Sequence, residues 1–227
     1  MAVILFLDSV MVPLSLFLMV GYHANLWRCF KTRPSCITIG IDAMRRKEWF
    51  QDMKEGDDKK AMLAVQSLRN TLMAASLAAT VAILVELALA ALTNNTYNAS
   101  RSFHSAFLEP QSGNGGRIFA LKFGSTSFFL LASFFCSALG LGFLIDANFL
   151  VSANEEFSFP AYTQMVFEQG FILAFIGNRI LCMSFPLLLW MFGPLPVALG
   201  SVALVWGLYV RDFVGKFSRS DTMHSLT

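Results

Sequence analysis

Five stretches of this chain, 3–27, 68–92, 118–145, 171–192 and 195–214, are almost continuously apolar. Each is long enough, at 1.5 Å per helical residue, to approach or exceed the ~30 Å hydrocarbon layer of a bilayer. A single soluble core has no room for so many runs, whereas a surface that meets lipid accepts them. The fold class expected is therefore all-α: a polytopic transmembrane helix bundle of about five spans, forming one transmembrane domain over 1–227. Composition agrees. Charged residues make up 14% of the chain and hydrophobic ones 56%, where an average globular domain is about a quarter charged.

The first span is interrupted by Asp8 and Pro13. It has no basic leader and is too long for the apolar part of a signal peptide, so it is expected to be retained. The second span repeats Ala74, Ala78 and Ala82 at four-residue intervals, which lets a neighbouring helix approach closely. In the third, Ser133, Ser137 and Gly140 mark another contact face of small residues. Gly193-Pro194-Leu195-Pro196 separates the last two spans. Two prolines lack the backbone donor, and the residue before a proline disfavours helix. Reading both segments as one kinked element would reduce the count to four.

Orientation follows from where the basic residues lie, because short cytosolic loops retain Lys and Arg. Ten of the 17 fall between Arg28 and Arg69, against Arg101 and Arg117 in the loop over 93–117. The loop over 28–67 is thus expected in the cytosol, with a surface helix over 41–55 lying along the headgroups. The loop over 93–117 is expected in the lumen, where Asn94 and Asn98 begin two N-glycosylation acceptor patterns and Ser112-Gly113-Asn114-Gly115-Gly116 gives flexibility. Five spans place Arg211, Lys216 and Arg219 in the cytosol, consistent with the same rule. The segment over 146–169, with Asp146, Glu155, Glu156 and Glu168, is polar enough to leave the membrane.

Motifs of soluble catalysis are missing from the sequence. It has no Gly-rich phosphate loop, HExxH or GxSxG, and its three histidines are scattered. No enzyme activity and no cofactor are expected. Cys29, Cys36, Cys136 and Cys182 form no CxxC pair and read as reduced thiols, with S-acylation of Cys29 and Cys36 an alternative. The basic cluster Arg45-Arg46-Lys47 suits anionic lipid headgroups better than nucleic acid, and a plain solvated face explains it equally well.

Ionisable residues within apolar spans are the sharper clue, because burying charge in hydrocarbon is costly and such groups usually face a bundle interior or a wet path. Asp8, Glu86 and Arg179 meet that description. Structural roles are available to each of them: Asp8 reaching to the headgroups, Glu86 hydrogen-bonded between helices, Asn178 and Arg179 tying helices together. Functionally, repeated copies of Glu86 and Asp8 would form acidic rings that attract cations, with Asp146, Glu155 and Glu156 at the opposite mouth. One chain of five helices has little room for an aqueous pore, so this reading requires a homo-oligomer.

Tyr22-His23-Ala24-Asn25-Leu26-Trp27, Ala64-Val65-Gln66-Ser67-Leu68-Arg69-Asn70-Thr71, Gly177-Asn178-Arg179 and the run from Pro186 to Pro194 resemble the pattern of a plant membrane family labelled domain of unknown function 599. The resemblance covers most of the chain and implies no activity by itself. The chain is also similar to a cation channel of the plant endoplasmic reticulum. That likeness implies a homo-pentamer around a central pore, calcium permeability and residence in the endoplasmic reticulum membrane. The leading expectation is an oligomeric, cation-selective channel whose partners are the lipid bilayer, its own copies and cations. The rivals are a non-conducting membrane scaffold and, third, a small secondary transporter.

Overall fold

The computed structural model describes residues 2–52, 58–106, 114–152 and 160–213, and among these every regular element is helical. Six α-helices follow one another: α1 (Ala2–Thr32), α2 (Thr38–Asp52), α3 (Asp58–Ala106), α4 (Asn114–Ser152), α5 (Pro160–Leu189) and α6 (Pro194–Asp212). Five of them, all but α2, are long and apolar enough to cross a membrane, over Ser9–Thr32, Val65–Asn95, Ala120–Val151, Tyr162–Phe192 and Pro194–Asp212.

The helices run further than hydropathy suggests. Between Gly56 and Pro110 the sequence has neither glycine nor proline. Nothing breaks the hydrogen-bond ladder, and α3 continues for 49 residues, about 73 Å at the standard rise. Much of the segment expected as a lumenal loop over 93–117 is accordingly helix, including Asn94, Asn98 and the Asn114-Gly115-Gly116 start of α4. The segment expected to leave the membrane over 146–169 is likewise helical to Ser152 and again from Pro160. The surface helix expected over 41–55 is α2, beginning three residues earlier and described as far as Asp52, with 53–55 outside the described residues. Polarity governs where a helix meets water, but helix ends are set by breakers and caps.

Several hydroxyls inside the spans are satisfied within their own helix. Thr71 donates to the Ser67 carbonyl (3.2 Å), Thr80 to Ser76 (2.8 Å), Thr93 to Leu89 (2.8 Å) and Ser184 to Leu181 (2.7 Å). This internal pairing suits a solvent that offers no hydrogen bonds. Pro13 and Pro186 lie within α1 and α5.

The chain divides into two compact units, one drawn from Met1–Lys60 and Phe192–Thr227, the other from Ala61–Met191. The first unit is thus assembled from the two ends of the sequence. Its main pairing is α1 with α6. Val12, Ser15, Met19 and Leu26 are buried along α1, and Val197, Ser201, Leu208 and Asp212 along α6. After α1, a 3-10 turn (Pro34–Cys36) leads into α2. Gly40 of α2 backs onto Pro34 so closely that an added Cβ would lie 2.7 Å from the Pro34 carbonyl carbon. Thr38 Oγ1 donates to the carbonyls of Arg211 (3.0 Å) and Asp212 (3.2 Å). The chain leaving the first span therefore touches the end of the last one. Both spans end on one side of the membrane, which an odd number of crossings requires and four crossings forbid.

In the second unit α4 and α5 form the closest pair. Leu68, Ala75, Leu144, Ala147, Val166 and Phe167 make one core cluster, and Leu89, Phe123 and Leu130 another. The α3 stripe read at four-residue intervals is corrected in register: Ala74 is exposed, whereas Ala75, Ala78, Ala79 and Ala82 are buried. With 3.6 residues per turn, a strict interval of four drifts around the helix, and intervals of three and four must alternate to hold one face.

Candidate functional site

The inward seam of α3 runs through Leu68, Leu72, Ala75, Ala79, Ala82, Glu86, Leu89 and Thr93, at alternating steps of four and three. Leu68, Ala75, Ala79, Ala82 and Leu89 are buried in it. Glu86 occupies the one acidic position of this seam. Its side chain is half-buried, and its enclosed Oε2 accepts no hydrogen bond from the described residues. Glu86 lies nine residues before Asn95, the end of the apolar window, or about 13 Å along the axis. Enclosing a carboxyl oxygen there without a donor is costly.

Arg179 of α5 is 4% exposed. Its guanidinium carbon lies 4.6 Å from the centre of the Phe175 ring, a cation–π contact one turn away on the same helix. Asn178 beside it is half-buried. The α4–α5 crossing next to these residues is built from small side chains. Ser133 Oγ donates to the Gly177 carbonyl at 2.7 Å, while a Cβ on Gly177 would lie 2.9 Å from the Ser137 backbone nitrogen. A Cβ on Gly140 would lie 2.7 Å from the Ala174 nitrogen. The contact face expected at Ser133, Ser137 and Gly140 is the one used.

The remaining candidates fall elsewhere. Asp146 is exposed on α4, within the apolar window rather than in a loop. Asp8 is in α1 of the first unit, and its side chain is outside the described residues, as are Glu155 and Glu156 altogether. Asn94 is exposed on α3, and Asn98 follows one turn later in the same helix, its side chain outside the described residues. Among the described residues no group of three or more His, Cys, Asp or Glu side chains is placed to hold a metal ion.

Two polar joints escape the sequence reading. Lys122 donates to the Trp190 carbonyl at 3.2 Å and stands 5.4 Å from the centre of the Trp190 ring, bracing the end of α5 from the start of α4. Its signal was available, since it is the one Lys or Arg between Arg117 and Arg179. In the first unit the Tyr22 hydroxyl donates to Asp212 Oδ2 at 2.5 Å. Asp212 is 3% exposed and is the one acidic residue between Glu168 and Asp221. Its neighbour Arg211, read as part of a basic tail, concealed it.

A family model described as "Protein of unknown function, DUF599" matches residues 10–217. The chain belongs to the DUF599 family. Three of the four DUF599-like segments of the sequence fall at the joints just described: Tyr22 at Asp212, Gly177 at the α4–α5 crossing with Arg179 on Phe175, and Trp190 under Lys122. No curated protein and no solved structure matches the chain.

Proposed function

We propose that this DUF599 protein is an oligomeric, cation-selective channel, with Glu86 as the acidic group that meets the permeating ion. The observation that carries this reading is the Glu86 Oε2 atom, enclosed in an apolar span without a hydrogen-bond donor among the described residues. Such an atom favours a cation, and side-chain carboxylates are the groups that rings of cation-selective pores use. The single chain also buries between 17% and 28% of each apolar window, leaving wide helix faces for lipid and for further copies. Homo-pentameric assembly, calcium permeability and residence in the endoplasmic reticulum belong to the same proposal and rest on resemblance.

The test is current across planar bilayers carrying the purified, reconstituted protein. The wild type is expected to conduct cations, and Glu86→Gln to lose preference for divalent over monovalent ions. Unchanged permeability ratios would remove Glu86 from the path. No current at all, from protein shown to be folded and inserted, would leave the non-conducting scaffold, which the close α4–α5 crossing and the exposed apolar faces also support.

A further inference from the structure

We propose that the end of the first unit where α1, α2 and α6 meet is a docking surface for the headgroups of anionic phospholipids, with Arg28, Lys31, Arg33, Arg45, Lys47 and Arg211 supplying the cations. All six side chains are exposed. The exposed acids among the described residues of the same region are Asp42 and Glu48, so positive charge dominates.

Three observations make this a built surface. First, the cations come from separate segments that the fold gathers. Thr38 Oγ1 bonds to the carbonyls of Arg211 and Asp212 at 3.0 and 3.2 Å, joining the start of α2 to the end of α6. Second, α2 cannot swing away cheaply. Ile37 is completely buried, and Gly40 lies against the Pro34 backbone at a distance that excludes any side chain. Third, the residues around the cations are those of a membrane boundary. Trp27 is 55% exposed, stacks on Phe30 at 5.9 Å between ring centres, and carries the Lys31 ammonium 5.6 Å from its own centre. Indole rings favour the zone where hydrocarbon meets headgroups. Met44, exposed on α2, adds apolar surface.

Position selects lipid over other polyanions. The apolar windows of α1 and α6 end at Thr32 and Asp212, so these cations stand where the headgroups of one leaflet begin. Each Lys or Arg near an anionic membrane surface contributes about fivefold to attraction, and the effect falls off within a Debye length.

The experiment uses the full-length protein in a neutral detergent, with phosphatidylserine and phosphatidylcholine adducts titrated by native mass spectrometry. Phosphatidylserine is expected to bind more tightly. The double variant Arg45→Gln/Lys47→Gln, its folding checked by circular dichroism, is expected to weaken phosphatidylserine binding severalfold and to leave phosphatidylcholine unchanged. Equal binding of the two lipids, or a double variant indistinguishable from wild type, would overturn the proposal. So would displacement of phosphatidylserine by a polyglutamate peptide of equal charge, which would assign the surface to an acidic protein partner. None of these readouts depends on conduction.

Discussion

Ser133 and Ser137 stand one turn apart on α4, both fully buried, and the structure gives them opposite energetic roles. Ser133 donates to the Gly177 carbonyl, whereas the Ser137 hydroxyl is enclosed without a partner among the described residues. Interhelical hydrogen bonds in membranes contribute about 0.6 kcal/mol on average and about 1.7 at most. Ser133→Ala is therefore expected to lower the melting temperature measured in detergent. Ser137→Ala is expected to leave it unchanged or raise it, because it removes an unsatisfied polar atom at nearly constant volume. Gly177→Ala should be worse than either, by about 1–3 kcal/mol, since its methyl would press on the Ser137 backbone. At this scale the sequence was partly legible. Small residues at Ser133, Ser137 and Gly140 identify the contact face, because close approach of two backbones leaves a compositional trace. Which hydroxyl finds a carbonyl depends on the axial offset of α5, and no pattern within α4 records that.

For the elements, the decisive residue is Gly193. Its φ of 130° and ψ of 176° fall in a region that side chains other than hydrogen rarely enter. It lies between the 3-10 turn that closes α5 (Trp190–Phe192) and the start of α6. Nothing surrounds its missing Cβ, so the cost of Gly193→Ala is one of backbone strain alone, about 1–3 kcal/mol. Thermal unfolding in detergent should register that loss, while Gly207→Ala, also in open space but at an ordinary helical position, should be neutral or stabilising. The break before Pro194 was legible because proline and glycine punctuate the chain whatever surrounds them. The extents of α3 and α4 were not, since polar Asn94 to Ser100 suggests a loop although nothing in it interrupts a helix. Glu86 was legible as an acid in an apolar run. Its place in the inward seam required the true register of α3, which the apparent four-residue alanine repeat obscured.

Considered whole, the molecule has its first and last spans ending on one side, joined by Thr38 and by the Tyr22–Asp212 hydrogen bond. An epitope inserted between Asp52 and Asp58 and another following Phe213 should therefore be cut together by protease added to sealed vesicles of one orientation. One inserted within 107–113, beyond the single crossing of α3, should be protected under the same conditions. Opposite accessibility of the first two sites would refute the odd crossing number. The five spans were legible as lengths of apolar sequence. The pairing of α1 with α6 was not, because no local pattern links helices so distant in the chain. That pairing bears on biosynthesis. A ribosome delivers α1 well before α6, with the whole second unit made between them, so Ser15, Tyr22 and the rest of the α1 face wait in the bilayer for a complement not yet translated. Over that interval α1 is an orphan helix, without the partner that Asp212 and the rest of α6 later bring.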